Sequence, residues 1–399
     1  MVIPLVAYSL IIPTLILVQR IISRYSLKYL SRYLPLLFSL IILSIHLKQV
    51  LLLFFLITFI IFYSLDDKKL NFLPKNTSLV LAFLLMALIV AKTLQENMTS
   101  FIYPLGFSYF IFRLIHYVVE KRRNNLPDHN VFDLLSYLLF FPTFLAGPLE
   151  RFPEHFKDLA KIQTHKNNFS PDEFFYGVGR ILIGVIKKFF GANTLANFIY
   201  PVLNAPQIHK PYLIFLSVLG LSWQLYWDFS GYSDMAIGLS RCLGFKVREN
   251  FHWPFFKHNL AQHWRSWHIS LHEWIRDYFF LPIFGTSWGR WDSAQLRIYL
   301  GTFCSMMIFH LWHGLNSNFL VMGVYHGLAL TLWTLIQEKK RKSSFLKKLF
   351  PVKSGYLNNI FYGVLTYFYV SFGFIFFFFP LNHGLKIFSQ LVGWIWKMY

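Results

Sequence analysis

Long apolar stretches, separated by short polar segments, fill the chain from one end to the other. A helix needs about 20 mainly apolar residues to cross the hydrocarbon core of a bilayer, and the stretches are close to that length. We therefore expect roughly ten to twelve embedded helices. Their expected ranges are 2–18, 34–46, 49–64, 78–93, 99–118, 132–147, 176–190, 211–227, 296–312, 318–337, 357–379 and 383–397. The strict alternation of a membrane β-barrel strand is missing from them.

Residues 241–295 break this pattern because they mix charged and aromatic side chains. They are too polar to span a bilayer and predict short interfacial and re-entrant helices packed against protein. Within them, one set of mostly aromatic and apolar residues recurs at the spacing of a single helical face, which predicts one helix with His268 on its aromatic side. The set is Trp264, Trp267, His268, Leu271, Trp274, Ile275 and Tyr278.

Composition agrees with a membrane protein. The 399 residues are 55% hydrophobic and only 14% charged, whereas soluble domains carry about a quarter charged residues. We expect an all-α polytopic protein with one integral membrane domain over residues 1–399. Residues 2–18 run directly into Gln19 and Arg20 without a clear cleavage site, so a retained first helix is expected rather than a removed signal peptide.

The net charge of +20 narrows the choice of partners. On a membrane protein, such an excess is typical of cytoplasmic loops and anionic lipid headgroups, and no nucleic acid is expected. The basic segments 121–123 and 338–353 should therefore face the cytoplasm. The two cysteines, Cys242 and Cys304, form no CxxC pair and predict no disulfide framework.

Two histidines are the strongest candidates for chemistry. His313 follows a membrane-length apolar stretch, and His268 closes an aromatic and basic segment. Ionisable groups at membrane depth cost roughly 2.5–3.5 kcal/mol on insertion scales and mark candidate functional sites. Two neutral imidazoles that converge would favour proton transfer, although packed core histidines are an alternative from the residues alone.

A metal site is the other use of these histidines. His268 and His272 are four residues apart, and His310 and His313 are three apart, so each pair could share a helical face. Neither pair has the HExxH order of a zinc protease. In the first pair, Glu273 follows His272 and not His268. No third ligand is identifiable, and no bound metal is expected.

Asp228 and Asp234 lie just beyond an apolar stretch, where a charge is costly, so each should have a partner such as an arginine or a histidine. Ser230 and Gly231 between them are consistent with a helix break or with a close helix contact. A structural polar network and direct chemistry both remain open for these residues. No GxSxG, Walker or GxGxxG motif supports hydrolase, NTPase or dinucleotide chemistry.

Several motifs together resemble the membrane-bound O-acyltransferases, and most closely their bacterial alginate O-acetyltransferase-like branch, with some resemblance to the teichoic acid D-alanyl transferase. The resemblance covers about residues 106–376. The motifs, in the order of that family, are Ala146-Gly147-Pro148, Asp228-Phe229-Ser230-Gly231-Tyr232-Ser233-Asp234, Glu249-Asn250-Phe251, Trp267-His268-Ile269-Ser270-Leu271, Trp274-Ile275-Arg276-Asp277-Tyr278, Trp312-His313-Gly314 and Tyr325-His326-Gly327.

This resemblance implies a ring of tilted transmembrane and re-entrant helices around a central funnel. It implies that His313 is the catalytic histidine and His268 the second active-site residue. Candidates for lining the acyl-donor site or tunnel are Trp264, Arg265, Trp267, Ser270, Asn250 and Trp312. A supporting polar network would comprise Asp228, Ser230, Tyr232, Asp234, Arg276, Asp277 and His326.

The implied activity is transfer of an acyl group, acetyl in the first instance, in the cytoplasmic membrane of a bacterium. The donor would be acyl-CoA or an acyl-carrier thioester on the cytoplasmic side, used as a cosubstrate without a bound cofactor. The acceptor would be an extracytoplasmic polysaccharide, reached through a partner protein with a serine nucleophile. D-alanyl transfer to teichoic acid is the alternative within this class. A proton-coupled transporter and a purely structural assembly subunit are the alternatives from other classes.

Overall fold

The computed structural model describes Val18 and residues 28–64, 77–97, 106–164, 170–285, 294–342 and 356–396. Every regular element within these ranges is a helix, which confirms the all-α prediction. The expected first helix, 2–18, lies outside them apart from Val18.

The helices are numbered here in chain order. The first part of the chain contains α1 (Lys28–Ser64), α2 (Thr77–Asn97), α3 (Phe107–Arg122), α4 (Val131–Leu138), α5 (Phe141–Phe144), α6 (Phe152–Thr164), α7 (Pro171–Val185), a π-helix (Ile186–Ala192), α8 (Asn193–Asn204), a 3₁₀ turn (Pro206–Ile208) and α9 (Pro211–Cys242). The remainder contains a 3₁₀ turn (Pro254–Phe256), α10 (Leu260–Ser266), α11 (Ile269–Ile275), a π-helix (Arg276–Phe280), α12 (Leu281–Phe284), α13 (Ala294–Leu311), α14 (Ser317–Lys342), α15 (Tyr356–Gly373), α16 (Ile375–Phe378) and α17 (Leu381–Trp396).

Most predicted apolar segments coincide with helices, but their boundaries differ in three places. The segments predicted at 34–46 and 49–64 are wrong as separate helices, because α1 continues through the polar residues between them. The segment predicted at 132–147 is divided into the short helices α4 and α5. Of the two alternatives for Ser230 and Gly231, the helix break is wrong, since α9 is continuous from Pro211 to Cys242.

Two helical stretches among the described residues are long and apolar enough to cross a bilayer, Ser317–Lys340 and Asn358–Phe378. Shorter apolar stretches lie at Leu30–Ser44, Leu52–Tyr63 and Val80–Val90. The expected total of ten to twelve embedded helices stays a prediction. The basic segments begin inside helices, because α3 ends at Arg122 and α14 at Lys342.

The described residues fall into two compact units. Unit 1 takes its residues from 1–184 and 232–248, and unit 2 from 185–231 and 249–399. Whether the chain acts as one domain, and whether its helices form a ring around a funnel, stay predictions.

A buried arginine organises part of unit 1. Arg113, only 1% exposed, donates from Nη1 to the carbonyls of Tyr137 and Leu138 at 2.9 and 3.1 Å, and from Nη2 to the carbonyl of Thr143 at 2.9 Å. The last carbonyls of a helix have no partner within that helix, and a cation there also complements the helix dipole. Arg113 therefore donates hydrogen bonds to backbone carbonyls at the C-terminal ends of both α4 and α5.

Asp234 in unit 1 has the partner that its sequence context requires. Arg180 Nη2 lies 2.5 Å from Asp234 Oδ1, and both side chains are largely buried. A partner such as an arginine or a histidine was predicted for Asp234, and the structure shows an arginine. Nearby, α7 and α9 pack closely at two glycines, since a Cβ added to Gly177 would lie 2.6 Å from the carbonyl oxygen of Gly238.

Unit 2 has an apolar core formed by helices α8, α9, α16 and α17, with Leu203, Ile214, Val218, Ile375 and Ile387 fully buried.

The helical hairpin of α13 and α14 also belongs to unit 2. A Cβ on Gly323 would lie 3.0 Å from Met307 Sδ, and one on Gly327 would lie 3.0 Å from Phe303 Cδ2. Small residues allow helix backbones to approach in this way. The turn of this hairpin carries His313.

Candidate active site

The chain interrupts its helix at His268 instead of forming the single helix that the aromatic spacing predicted. α10 ends at Ser266, His268 adopts a left-handed backbone conformation with φ +46°, and α11 begins at Ile269. A left-handed conformation is rare for a residue with a side chain and persists only where surrounding contacts enforce it. The single-helix prediction is wrong, although every residue of its predicted face is buried or half-buried.

Asn250 supplies contacts that hold this break. Its backbone carbonyl accepts from Ile269 N at 2.9 Å, and its Oδ1 accepts from the Ser270 hydroxyl at 2.9 Å. The same oxygen lies 3.1 Å from His268 Nδ1. Because Asn250 Oδ1 already accepts from Ser270, it is an acceptor toward His268 as well, so Nδ1 carries the imidazole proton. The remaining ring nitrogen, Nε2, is then the basic one.

Aromatic rings surround His268. Its ring centroid lies 4.7 Å from Phe229, 6.0 Å from Trp312 and 6.1 Å from Phe309. Burial, with a smaller contribution from His272, lowers the pKa of His268 to about 3. The imidazole is therefore neutral at physiological pH, as a proton acceptor must be.

His313 lies in the turn after α13, where its backbone N donates to the carbonyl of His310 at 3.0 Å. Its half-buried ring is 4.6 Å from Trp312, 4.9 Å from Phe377 and 6.2 Å from Phe309. Trp312 and Phe309 thus contact both His268 and His313. The two histidines singled out from the sequence share one aromatic environment in unit 2.

The other residues predicted for the acyl-donor site differ in exposure. Trp264, Trp267, Ser270 and Asn250 are buried, and Trp312 is half-buried beside His313. Arg265 is exposed, with its Nε donating to the carbonyl of Ala261 at 3.2 Å. Of this set, Asn250 and Trp312 contact His268, whereas Trp264 and Trp267 pack on other aromatic rings and Arg265 lies at the surface.

The predicted polar network is divided between the two units. In unit 2, Asp228 pairs with Lys188 of the π-helix, so its partner is a lysine and not the expected arginine or histidine. Ser230 is buried on α9. In unit 1, Tyr232 contacts the carbonyl of Pro142.

Arg276 and Asp277, two further members of the predicted network, pair with each other at 2.8 Å. The Arg276 side chain is 57% exposed, so this pair belongs to the surface of unit 2 and not to the His268 environment. His326 is buried on α14 among aromatic rings.

Sequence analysis did not identify the aromatic residues that complete the environment of the two histidines. Phe309 is 2% exposed and contacts both of them, Phe229 packs on His268, and Phe377 packs on His313. Phenylalanine occurs 46 times in this chain, so the residue type alone carried no signal. The only available hint was position, since Phe309 lies one helical turn before His313.

A separate apolar cavity of about 660 Å³ lies in unit 2. It is lined by Trp223, Phe255, Phe256, Tyr367 and parts of α15. None of the predicted site residues line it, but Phe255 in its wall packs on Trp267, with ring centroids 6.0 Å apart.

Acid should destabilise the protein through its buried neutral histidines. Burial lowers the pKa of His263 to about 4 and that of His268 to about 3. Both pKa values lie below the ordinary 6.5 of the unfolded chain, so stability is complete above pH 6.5 and falls as the pH drops below it. At pH 5, each of these two histidines should lower the free energy of unfolding by about 2 kcal/mol relative to its value above pH 6.5. The melting temperature in detergent should fall markedly between pH 7.5 and pH 5.0, and His263→Phe should reduce that fall. An equal melting temperature at both pH values would contradict the lowered pKa values of His263 and His268.

Gly373 should tolerate no larger residue. A Cβ there would lie 2.6 Å from His326 Cε1 and 3.0 Å from Tyr325 Cε1. His326 has little room to move, because its ring centroid is 4.8 Å from Trp264 and 5.1 Å from His310. Overpacking of this kind costs about 1–3 kcal/mol, so Gly373→Ala should lower the melting temperature.

The matched control for Gly373→Ala is Gly393→Ala in α17, where an added Cβ meets no described atom within 4 Å. That variant should melt at the wild-type temperature or slightly above it, because alanine favours a helix over glycine. Equal melting temperatures for the two variants would show that the contact between Gly373 and His326 is unimportant.

The model of the membrane-bound O-acyltransferase family matches residues 35–369 of this chain. The chain belongs to that family, and the resemblance drawn from its motifs is confirmed. The matched region includes Asn250, His268 and His313.

Among individual proteins, the chain is 34% identical over 259 residues to the probable alginate O-acetylase AlgI of Pseudomonas aeruginosa, which covers 64% of this chain and 46% of that protein. It is 32% identical over 293 residues to the teichoic acid D-alanyltransferase of Bacillus subtilis, covering 71% and 69%. It is 27% identical over 321 residues to the peptidoglycan O-acetyltransferase of Helicobacter pylori, covering 73% and 57%. The chain spans about half the length of the alginate O-acetylases that it matches.

Proposed function

We propose that this protein is a membrane O-acyltransferase that moves an acyl group, acetyl in the first instance, from a cytoplasmic thioester to an extracytoplasmic polysaccharide. The observation that carries this proposal is the shared environment of His268 and His313, which both contact Trp312 and Phe309. Membership of the O-acyltransferase family supports the reaction class.

In the proposed reaction, His313 acts as the general base. A neutral imidazole takes the proton of an acceptor hydroxyl, and the hydroxyl oxygen attacks the carbonyl carbon of the thioester. A C–O bond forms, the C–S bond breaks, and the thiolate leaves with the donor. Proton transfer from a positioned base contributes about 10²–10⁴-fold to rate.

His268 positions the reacting groups in this proposal. Its Nδ1 donates to Asn250, which orients the ring and leaves Nε2 as the nitrogen that can hold the acceptor hydroxyl. The left-handed backbone of His268 and the fully buried Asn250 fix that orientation before substrate binds.

The acceptor and donor are inferred from the named relatives. Two of them are named for O-acetyl transfer, to alginate and to peptidoglycan, and one for D-alanyl transfer to teichoic acid. All three acceptors are polymers of the cell envelope, which favours an extracytoplasmic polysaccharide as the acceptor and the cytoplasmic membrane of a bacterium as the location of the enzyme. Delivery through a partner protein with a serine nucleophile is part of the same proposal. D-alanyl transfer from a carrier protein is the second candidate.

A donor comparison tests the proposal. Purified protein in liposomes is incubated with radiolabelled acetyl-CoA or with a carrier protein loaded with radiolabelled D-alanine, and release of the free thiol is followed. Release from acetyl-CoA that requires His313 supports acetyl transfer. Release only from the carrier protein overturns the acetyl assignment in favour of D-alanyl transfer. Ion flux without thiol release from either donor would overturn the acyltransferase proposal and favour the transporter.

A further inference from the structure

The apolar cavity of about 660 Å³ in unit 2 runs along one face of α15. The residues of α15 that line it recur at the spacing of a single helical face, and they are Asn359, Ile360, Gly363, Val364 and Tyr367. The helical stretch Asn358–Phe378 is long and apolar enough to cross a bilayer. The cavity therefore begins at one end of a candidate membrane span and extends into it.

The length of the cavity suits the depth of one lipid leaflet. From Asn359 to Tyr367, the cavity follows α15 for about 12 Å. The hydrocarbon core of a bilayer is about 30 Å thick, so the acyl chains of one leaflet fill about 15 Å. Ile360 and Val364 are 46% and 43% exposed, so the cavity is also open along its side. Apolar surface exposed in this way on a membrane span favours contact with lipid.

Aromatic rings form the wall of the cavity near Tyr367. The Tyr367 ring centroid lies 5.2 Å from Phe255, which in turn lies 5.1 Å from Trp223. The Tyr367 hydroxyl donates to the carbonyl of Leu219 at 2.7 Å, so this polar atom already has a partner. Apolar cavities of this kind stay free of water and bind apolar ligands. The wall therefore favours a hydrocarbon chain over a polar ligand.

The opposite end of the cavity is polar. His258 Nδ1 donates to the carbonyl of Asn359 at 3.1 Å, and both residues line the cavity. The cation Lys257 directly precedes His258, and a Cβ added to Gly363 would lie 3.7 Å from the carbonyl oxygen of Lys257. The exposed Trp253 packs nearby on the lining residue Phe256, with ring centroids 6.0 Å apart. Exposed tryptophan beside a cation is typical of the membrane interface.

The charge of the chain indicates which leaflet this polar end meets. α14 ends at Lys342 and α15 begins at Tyr356, and two consecutive membrane spans place their connected ends on the same side of the bilayer. The last turn of α14 is basic, and basic segments of this kind face the cytoplasm. The lipids of that leaflet carry negative charge, which complements Lys257.

We propose that the cavity binds one acyl chain of an anionic phospholipid from the cytoplasmic leaflet, with the lipid phosphate beside Lys257. The acyl chain lies along α15 between Asn359 and Tyr367, and it covers the exposed side chains of Ile360 and Val364. The lipid is bound intact, so no bond forms or breaks. This lipid site goes beyond the proposed acyl transfer and does not depend on it.

Photo-cross-linking of the full chain in phosphatidylcholine liposomes tests the acyl-chain site. The probe is a trace of phosphatidylglycerol with a diazirine on one acyl chain, and cross-linked peptides are mapped by mass spectrometry. Cross-linking at Tyr367 is measured relative to Phe361, which is exposed on α15 and does not line the cavity. We expect Tyr367 to be labelled several-fold more than Phe361, because a bound chain stays longer than a passing lipid.

Gly363→Phe should remove this preference by filling the cavity. A Cβ at Gly363 makes only an ordinary contact, so the new ring enters the cavity without displacing the backbone. The ratio of labelling at Tyr367 to that at Phe361 should fall about tenfold. Gly393→Phe is the matched control, because a Cβ there meets no described atom within 4 Å and Gly393 lies outside the cavity. Equal ratios in the two variants would overturn the proposal.

A second probe tests the headgroup. Phosphatidylcholine with the same diazirine chain should label Tyr367 about fivefold less than phosphatidylglycerol does, which is the effect of one cation near an anionic lipid. Lys257→Gln should abolish that difference, whereas Lys386→Gln, at an exposed lysine of α17, should preserve it. Equal labelling by the two lipids in the wild type would overturn the anionic assignment.

The oligomeric state separates a lipid from a second copy of this chain as the occupant. The wild type and Gly363→Phe should have the same mass by size-exclusion chromatography with light scattering. If Tyr367 is not labelled in the wild type, and Gly363→Phe converts a dimer into a monomer, then a second copy covers the cavity and the lipid proposal is wrong.

Discussion

His313→Ala should lower acyl transfer by about 10²–10⁴-fold, the usual contribution of a positioned general base. His313 lies in the turn of the α13–α14 hairpin, and its ring packs on Trp312 and Phe377. The substitution removes the proton acceptor, while the glycines that allow α13 and α14 to pack closely, Gly323 and Gly327, stay in place. We therefore expect lost turnover in a folded protein. The measurement is thiol release from the preferred donor under saturating conditions.

His252→Ala is the matched control for His313→Ala. His252 is an exposed histidine of unit 2, and its backbone N donates to the carbonyl of Ser266 at 3.0 Å, a hydrogen bond that alanine retains. This variant should keep the wild-type rate. Both variants should insert into membranes and melt within a few degrees of the wild type. A His313→Ala protein that is folded and turns over at the wild-type rate would refute the role of His313 as the base.

The long helices of the fold were predictable because length and apolar composition are local properties. The segment expected at 78–93 is α2, and the one expected at 318–337 is α14. Helix ends were less predictable, since polar residues can continue a helix. α1 runs through the polar residues near position 47, and α9 continues past Ser230 for another three turns.

The break at His268 could not be predicted from the spacing of aromatic residues. That spacing describes one helical face, and it correctly indicates that Trp264, Leu271 and Trp274 are buried. The break depends on Asn250, which is 18 positions away in the sequence and accepts from His268 and Ser270. A contact between distant residues leaves no periodic signal in the chain.

The candidate site shows the same division between local and distant information. The motifs predicted His268, His313 and Asn250 as site residues, but they did not show that Phe309 contacts both histidines. Likewise, His272 and His310 were noted as possible metal ligands from their spacing alone. Both histidines pack on Trp264, and these contacts arise from the packing of helices that are distant in the sequence.

Asn250→Ala should reduce both stability and activity. It removes the acceptor of His268 Nδ1 and of the Ser270 hydroxyl, while the backbone bond from Ile269 N to the Asn250 carbonyl persists. Leaving buried donors unpaired costs about 1–3 kcal/mol each. The group that orients a functional histidine is worth roughly 10–100-fold where it has been measured in metal sites, and we expect a loss of that size in acyl transfer. Asn204→Ala, at an exposed asparagine of unit 2, is the control and should change neither quantity.

Asn250→Asp separates orientation from charge. The carboxylate still accepts from His268 Nδ1, so the ring keeps its orientation and more activity should survive than in Asn250→Ala. A negative charge beside the ring stabilises the imidazolium, so the pKa of His268 should rise from about 3 toward its ordinary value. Since His268 must be neutral to hold the acceptor hydroxyl at Nε2, the acidic limb of the pH profile for thiol release should move to higher pH. If Asn250→Asp shows the wild-type limb, or loses as much activity as Asn250→Ala, then Asn250 does not act through the proton of His268 Nδ1.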